Sequence, residues 1–404
     1  MNDLSTVDQP SSPSAPGSPV GVGVTAAKGF RASGTSAGIK SSGAPDLALV
    51  VNDGPSFAAA AVFTGNRVKA APVHWTQEVI KSGRLAAVVL NSGGANACTG
   101  PAGFQDTHAT AERAAEILDV SAASVAVCST GLIGIRLPMD KLLKGLIDGA
   151  ESLSGQGGAD AAEAIRTTDS VAKTAVVSRD GYTLGGMIKG AGMLAPGLAT
   201  MLCVLTTDAD VPAAVLDSAL RSATSRTLDR IDSDGCMSTN DTVILMASGA
   251  SGVAPDPAGF AEAVAAVCAD LARQLIADAE GATKEIEIEV VNAADEADGL
   301  EVARSIARNN LFKCAMFGED ANWGRVLSAV GTTRAAFDPD RLAVAINGVW
   351  LCRDGAAGED RELCDLSGRH IKVTVDLNAG PATVTVWTND LSKEYVHENS
   401  AYSS

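Results

Sequence analysis

Residues 260–290 change their hydrophobic period within a few positions. Between Glu285 and Val290, glutamate alternates strictly with isoleucine or valine, which predicts a strand with one buried face and three glutamates in solvent. The preceding stretch, 260–279, has the helical spacing of three and four residues and therefore predicts a helix with a single apolar stripe. The residues of that stripe are Phe260, Val264, Val267, Leu271 and Leu275.

Strand and helix patterns alternate through the rest of the chain as well. Apolar runs predict strands at 47–51, 59–63, 85–90, 125–128, 201–205 and 242–246, and helical patterns cover 106–118, 138–153 and 212–227. Residues 371–377 and 382–388 flank a turn at 378–381 and predict a hairpin. We therefore expect an α/β (α+β) protein of layered elements with mixed sheets and hairpins.

Composition limits the partners of such a fold. Aromatic residues make up only 4% of the chain and there are 41 glycines, so the core must consist mainly of small aliphatic side chains packed closely. The formal net charge of −17 disfavours nucleic acid and anionic membranes as partners, because like charges repel. Residues 1–20 are rich in serine and proline and predict a disordered lead.

The cysteines and histidines carry no metal or redox signature. None of the eight cysteines forms a Cys-x-x-Cys pair, and the four histidines have no metal-ligand spacing. Several cysteines stand in apolar runs, as buried free thiols do, which favours the reducing cytosol. No uninterrupted apolar run is long enough to span a bilayer. The sequence predicts a cytoplasmic protein without a metal or another cofactor.

Thr200 stands at the boundary between a Gly/Pro-rich loop and a strand. The loop at 190–199 contains three glycines and a proline, and the apolar run from Met201 begins directly after Thr200. An internal threonine is a poor nucleophile. A threonine made N-terminal by cleavage of the Ala199–Thr200 bond carries its own amine as a base. The alternative is that Thr200 only begins a core strand.

Two further segments could serve chemistry at the ends of strands. In the segment 128–134, Thr130 and Gly131 could aim a hydroxyl and a backbone N–H at one point, as an oxyanion hole requires; an ordinary glycine turn is the alternative. The glycine-rich stretch 91–100 could cradle an anion, but it lacks a P-loop ending, and a structural loop beside the site explains it as well.

Taken together, these segments resemble the ornithine acetyltransferase (ArgJ) family of arginine biosynthesis. The likeness covers nearly the whole chain after residue 25. Its motifs are 91–100, 128–134, 167–169, 189–196, 199–202, 206–209, 238–242, 280–284, 320–325 and 398–404. The resemblance implies the layered α-β-β-α architecture of ArgJ and DmpA-like enzymes.

The resemblance also implies how the chain matures and what it catalyses. It implies self-cleavage into an α chain, 21–199, and a β chain, 200–404, that stay together, commonly as an α2β2 heterotetramer. Thr200 would then carry acetyl from N2-acetyl-L-ornithine to L-glutamate by a ping-pong route, with Thr130 and Gly131 holding the oxyanion. Acetyl-CoA as a second donor stays open, since no residue separates one-activity from two-activity enzymes.

By motif position, the resemblance places substrate contacts at Thr167, Lys189, Thr200, Glu280, Asn399 and Ser404. We expect Lys189 to meet the substrate carboxylate and Glu280, at the end of the helix over 260–279, to meet the ornithine ammonium. Arg166 stands where family members usually have methionine.

Two other functions fit the same residues. An amidase or aminopeptidase of similar architecture would use water in place of glutamate to resolve the acyl-enzyme. A non-catalytic anion-binding protein would use the stretch 91–100 and remain a single uncut chain.

Overall fold

The computed structural model describes residues 21–195 and 201–401. The predicted lead at 1–20, the Ala199–Thr200 bond and Ser404 therefore lie outside the described residues. Within the described ranges, no helix combines the length and apolar character needed to cross a bilayer, and no group of three or more His, Cys, Asp and Glu side chains could hold a metal ion.

Strands and helices alternate along the described chain. The strands are β1 (Phe30–Thr35), β2 (Leu47–Asn52), β3 (Ala58–Phe63), β4 (Ala87–Ser92), β5 (Val125–Thr130), β6 (Lys173–Arg179), β7 (Tyr182–Lys189), β8 (Leu202–Thr207), β9 (Thr242–Ala247), β10 (Glu285–Ala293), β11 (Ala343–Ile346), β12 (Val349–Arg353), β13 (Ala356–Ala357), β14 (His370–Asp376) and β15 (Ala382–Asn389). The helices are α1 (Ala71–Val79), α2 (Gly100–Leu118), α3 (Met139–Glu151), α4 (Gly158–Ala164), α5 (Ala213–Arg226), α6 (Pro257–Ala277), α7 (Glu296–Ala307), α8 (Asn310–Phe317), α9 (Trp323–Val330) and α10 (Lys393–Ala401).

Two sheets pack face to face and form the centre of the molecule. One has the strand order β1-β2-β4-β5 and the other β3-β9-β8-β7-β6. Their facing sides share one apolar cluster in which Val50 and Val88 of the first sheet belong with Val204 and Ile244 of the second. Small aliphatic side chains allow this close approach, as the composition predicts.

Helices cover the outer side of each of these sheets. The outer face of the four-stranded sheet packs on α2 and α3, and that of the five-stranded sheet packs on α5 and α6. The layers therefore run helix, sheet, sheet, helix, and the predicted α-β-β-α architecture with mixed sheets is confirmed.

The five-stranded sheet contains strands from both sides of residue 200. β3, β6 and β7 precede it, whereas β8 and β9 follow it. Lys189, the last residue of β7, pairs with Leu202, the first residue of β8, in an antiparallel ladder. The predicted boundary at 199/200 lies outside the described residues, and the strands before and after it in the chain, β7 and β8, are neighbours in one sheet.

A third sheet, of order β13-β12-β11-β14-β10-β15, forms a second core with α7, α8 and α9. The predicted hairpin at 371–388 is wrong, because β10 lies between β14 and β15 and pairs with both. The intervening loop crosses the end of β10, where the N–H groups of Ala379 and Gly380 donate to the Asn292 carbonyl at 2.8 and 3.0 Å. Alternation along a strand defines its buried face but not its neighbour.

The alternating strand β10 buries Ile286, Ile288 and Val290 as predicted. Its glutamates are half-buried and not simply in solvent. They form ion pairs with basic side chains of the neighbouring strand and the turn before it: Lys372 Nζ lies 3.1 Å from Glu287 and 3.0 Å from Glu289, and Arg369 Nε lies 2.6 Å from Glu285.

The packing of the two central sheets against each other predicts the effect of one core substitution. Ile244→Ala should lower the free energy of unfolding by about 2–5 kcal/mol, because it leaves a cavity between the sheets where Ile244 is fully buried. Leu363→Ala, at a residue that is 65% exposed, is the control and should cost no more than about 0.5 kcal/mol. Urea denaturation of both variants measures the difference, and equal effects would contradict the packing described.

Candidate active site

The two central sheets meet at the ends of β5 and β7. Lys189 closes β7, Thr130 closes β5, and the Lys189 ammonium donates to the Thr130 hydroxyl oxygen at 3.3 Å. Both side chains are buried, with Lys189 only 1% exposed. A lysine ammonium has donors and no acceptor. The Thr130 oxygen therefore accepts from Lys189, and the hydroxyl proton stays available for another acceptor.

Thr130 and Gly131 form a tight turn against the glycine-rich loop. The Thr130 carbonyl accepts from the N–H groups of Gly93 and Gly94 at 2.9 and 3.0 Å. Gly131 has a φ of +130°, and a Cβ there would lie 2.5 Å from the Gly94 nitrogen. Only glycine fits this position, so the turn is a built feature rather than a generic loop.

The loop at 91–100 supports that turn through side-chain hydrogen bonds. Asn91 Nδ2 donates to the Gly94 carbonyl at 3.0 Å, and Asn240 Nδ2 donates to the Ala95 and Ser129 carbonyls at 2.6 and 2.8 Å. The N–H groups of Gly93, Gly94 and Ala95 all donate to backbone carbonyls. These N–H groups do not form an anion cradle, and the interpretation of 91–100 as a structural loop fits these bonds.

Asp241 fixes the start of β8. Its Oδ1 accepts from the N–H of Met201 at 3.0 Å, and its side chain is fully buried. Burial raises the pKa of Asp241 well above its usual value, and hydrogen bonds and the nearby Lys189 charge offset only part of that. Because Met201 follows Thr200 directly, Asp241 anchors the backbone next to the predicted nucleophile. Thr200 itself lies outside the described residues.

A buried ion cluster lies beside Lys189. Lys173 Nζ contacts Asp169 Oδ1 at 2.7 Å and Asp278 Oδ2 at 2.5 Å. Burial opposes ionisation of Asp169, but the charges of Lys189 and Lys173 outweigh it and hold the Asp169 pKa at about 2. Burial also lowers the pKa of Lys189, and the Asp169 charge opposes this shift.

Glu280 gathers a second group of predicted contacts. Its carboxylate accepts from Thr168 Oγ1 at 2.6 Å and from Asn399 Nδ2 at 2.9 Å. A Cβ on Gly192 would lie 2.6 Å from the same carboxylate, so that glycine lets the loop before residue 196 approach Glu280. The expectation that Glu280 ends helix α6 is wrong. The helix ends at Ala277, and the Glu280 N–H donates to the Ala191 carbonyl at 3.0 Å.

Thr167 lies in a turn that Arg166 and Asp169 brace. The Thr167 N–H donates to Asp169 Oδ2 at 3.0 Å, and the Arg166 guanidinium donates to the carbonyls of Asp169 and Ser170 at 2.7 and 2.9 Å. Arg166 thus holds the backbone of the turn through its guanidinium.

The structure brings the predicted residues that it describes into two adjoining groups. The first group consists of Thr130, Gly131 and Lys189. The second group consists of Thr167, Glu280 and Asn399, through the contacts given above. Ala199, Thr200 and Ser404 lie outside the described residues. Around these groups, sequence reasoning did not assign roles to Thr168, Asp169, Lys173, Asp241 and Asp278.

Some of these roles had a signal in the sequence and others had none. Asp169 and Asp241 lie within the motifs 167–169 and 238–242. A carboxylate among apolar or small residues is a signal by which both could have been predicted to have a role at the site. Nothing local singles out Asp278. In the motif 320–325, Asn322 caps α9 by accepting from the Arg325 N–H.

The four-layer fold places a tight Thr-Gly turn beside the start of a buried strand, an arrangement compatible with acyl-group chemistry. The model of the ArgJ family matches residues 31–404 of this chain. The arginine biosynthesis bifunctional protein ArgJ of Streptomyces coelicolor is 68% identical over 381 residues, covering 94% of this chain and 100% of that protein. The protein of the same name from Mycobacterium leprae is 59% identical over 390 residues, covering 95% of this chain and 96% of that one.

Solved structures match as well. Ornithine acetyltransferase from Mycobacterium tuberculosis, solved in complex with ornithine, is 61% identical, with a TM-score of 0.43, covering 45% of this chain and 96% of that chain. The ArgJ bifunctional protein of Bacillus halodurans is 35% identical, with a TM-score of 0.46, covering 49% of this chain and 97% of that one. The chain belongs to the ArgJ family, and the resemblance found in the sequence is confirmed, as is the acyltransferase class that it implies.

The geometry of the Thr130–Gly131 turn predicts the effect of Gly131→Ala. The new Cβ would collide with the Gly94 backbone and displace this turn. Because Thr130 and Gly131 are predicted to hold the oxyanion, we expect acyl-transfer activity to fall about 100-fold or more. Gly134→Ala is the matched control: Gly134 has a φ of +85°, but open space surrounds the position of a Cβ. It should cost about 1–2 kcal/mol of stability and retain activity. Steady-state kinetics measures both, and equal losses would contradict a specific role for the turn.

Proposed function

We propose that this protein transfers the acetyl group of N2-acetyl-L-ornithine to L-glutamate, with Thr200 as the nucleophile. The observation that carries the proposal is the contact between Lys189 and Thr130 at the start of β8, in a chain of the ArgJ family. Lys189 pairs with Leu202 of β8, so the Thr130 hydroxyl and the Lys189 ammonium lie beside the strand that begins just after Thr200 in the chain.

Maturation begins with cleavage of the Ala199–Thr200 bond. The Thr200 hydroxyl attacks the Ala199 carbonyl, the peptide C–N bond breaks, and water hydrolyses the resulting ester. The products are a carboxylate at Ala199 and a free amine at Thr200. The hydrogen bond from Met201 to Asp241 supports this step, since it holds the backbone on the far side of Thr200 while the loop is cut.

The two chains remain associated after cleavage because they share a sheet. β7 of the α chain and β8 of the β chain are hydrogen-bonded neighbours from Lys189–Leu202 to Leu184–Thr207. Both also belong to the same buried clusters between the layers. An α2β2 assembly in the cytoplasm completes the proposal.

The mature Thr200 acts as both base and nucleophile. Its α-amino group, with a typical pKa of about 7.7–8.0, takes the proton of its own hydroxyl as the oxygen attacks the acetyl carbonyl. The Thr130 hydroxyl and the Gly131 N–H stabilise the oxyanion. The α-ammonium of Thr200 returns the proton to the departing nitrogen, so that ornithine leaves as the free amine and acetyl remains as an ester on Thr200. The amine of glutamate then attacks that ester, a proton from this amine returns to the Thr200 oxygen, and N-acetyl-L-glutamate departs.

The charges of the site suit these two amino acids. Glu280, oriented by Thr168 and Asn399, binds the side-chain ammonium of ornithine. Lys189 has three donors, so it can bind the α-carboxylate while it keeps its contact with Thr130. Thr167 and Ser404 complete the substrate contacts. Ornithine in the structure of the Mycobacterium tuberculosis relative supports this choice of ligand. Acetyl-CoA would serve as a second donor by passing its acetyl group to the free Thr200 hydroxyl, which releases coenzyme A and gives the same acetyl-threonine.

Cleavage predicts a specific mass pattern. Purified wild-type protein should give two chains, one ending at Ala199 and one beginning at Thr200, whereas Thr200→Ala should give one uncut chain, because it lacks the attacking oxygen. Thr200→Ser keeps that oxygen and serves as the control. Intact-mass spectrometry under denaturing conditions reads the result. An uncut wild-type chain with full activity would contradict the proposal.

The acceptor distinguishes transfer from hydrolysis. With N2-acetylornithine alone, the enzyme should release about one equivalent of ornithine per site and then stop; glutamate should restore turnover and give parallel double-reciprocal lines, because acetyl waits on the enzyme for its acceptor. Product analysis by chromatography measures ornithine, acetate and N-acetylglutamate. Free acetate as the main product without glutamate would favour an amidase, and tight binding without turnover would favour an anion-binding protein.

A further inference from the structure

One carboxylate connects both substrate-binding segments of the site. Asp169 Oδ2 accepts from the Thr167 N–H at 3.0 Å, and Asp169 Oδ1 accepts from the Gly190 N–H at 2.6 Å and from Lys173 Nζ at 2.7 Å. The Asp169 side chain is fully buried. Its oxygens thus hold the backbone at Thr167 and the backbone directly after Lys189 at a fixed separation.

We propose that Asp169 is the positioning residue of this active site: it fixes Thr167 and Lys189 relative to each other and keeps the Lys189 ammonium directed at the Thr130 hydroxyl. This inference rests on the proposed function, in which Thr167 and Lys189 contact substrate. Asp169 itself touches neither substrate nor the reacting atoms.

The geometry favours this role over a purely structural ion pair. Lys173 already has a second carboxylate partner in Asp278, at 2.5 Å, so Asp169 is not needed only to neutralise Lys173. Two of the three donors to Asp169 are backbone N–H groups next to predicted substrate contacts. Hydrogen bonds from N–H to a buried carboxylate are charge-assisted and short, which makes them suitable for holding segments to within a fraction of an ångström.

The same arrangement balances charge around the oxyanion turn. Lys189 and Lys173 are two buried cations, and Asp169 and Asp278 supply two anions beside them. The charged groups that face Lys189 are Asp169, Lys173, Asp241 and Glu280, with Lys40 as a further cation on the side of Arg166.

Charge removal therefore has a predictable sign. Loss of the Asp169 anion destabilises the Lys189 ammonium, so Lys189 should lose its proton at lower pH. Loss of the Lys173 cation has the opposite effect, and Lys189 should keep its proton to higher pH. Asp278 shares Lys173 with Asp169 but does not accept from the N–H groups of Thr167 or Gly190, so it offers a matched control in the same ion cluster.

The experiment compares Asp169→Asn, Asp278→Asn and Lys173→Gln in the full chain after mass spectrometry has shown that each is cut. For Asp169→Asn we expect kcat/KM for N2-acetylornithine to fall about 100-fold, and the alkaline limb of its pH profile to move down by about one pH unit. Asp278→Asn should stay within about threefold of wild type, with a smaller downward shift of the limb than Asp169→Asn gives. Lys173→Gln should move the limb upward.

Equal kinetics and equal pH profiles for Asp169→Asn and Asp278→Asn would overturn the inference. If Asp169→Asn is insoluble or uncut, Lys173→Gln decides: an upward shift supports the inference and an unmoved limb overturns it. A wild-type enzyme that transfers no acetyl contradicts the proposed function and this inference with it. Wild-type kinetics in Asp169→Asn contradict the inference alone.

Discussion

The packing of the two central sheets against each other is the constraint on which the site depends. Their shared interface is built from small aliphatic side chains such as Val50, Val88, Val204 and Ile244. Such a thin layer lets the end of β5 in one sheet approach the end of β7 in the other. Without that approach, Lys189 could not reach the Thr130 hydroxyl at 3.3 Å.

Burial then gives these polar contacts their strength. In a medium of low polarity, an unpaired ammonium or carboxylate is costly, so each buried charge at the site needs a partner. Lys173 and Asp169 satisfy each other, and Asp169 also binds two backbone N–H groups. This network is expensive to break at one point, which suits a site whose parts come from distant segments of the chain and, in the proposed function, from two separate chains.

The proposed cleavage point is consistent with this architecture. A cut between two domains would leave them free to part, whereas the strands on either side of residue 200 in the chain, β7 and β8, are hydrogen-bonded neighbours in one sheet. The new terminus would emerge where the Asp241 carboxylate anchors the next residue, beside the oxyanion turn.

The sequence predicted the layers well because hydrophobic period reports directly on burial. The amphipathic helix at 260–279 and the alternating strand at 285–290 are present, with ends shifted by a few residues. The neighbours of each strand were harder to predict. The pattern at 371–388 indicated a hairpin, but β10 lies between its two strands. The partner of a strand depends on residues far away in the chain, which a local period does not contain.

Residues of the candidate site could be named from the sequence where a family motif or an unusual backbone conformation marks them. Residues that join the site only through tertiary contacts could not. Gly131 was named because it follows Thr130 directly at the end of a strand-forming run, and the structure has a turn there with a φ of +130° that only glycine fits. Asp278, by contrast, becomes a partner of Lys173 only when the end of α6 folds against β6. The motif at 280–284 named Glu280 as an expected substrate contact. Its position beyond the helix end depends on a tertiary contact, the hydrogen bond from its N–H to the Ala191 carbonyl.

The central claim is that the Thr200 oxygen carries acetyl between two amino acids. The most direct measurement is peptide mapping by mass spectrometry of enzyme incubated with N2-acetylornithine and quenched in acid before glutamate is added. The account predicts one acetyl group on the peptide that begins at Thr200, removed by hydroxylamine as an ester and lost when glutamate is supplied. An unmodified Thr200 peptide from enzyme that turns over, or a hydroxylamine-stable acetyl amide, would contradict it.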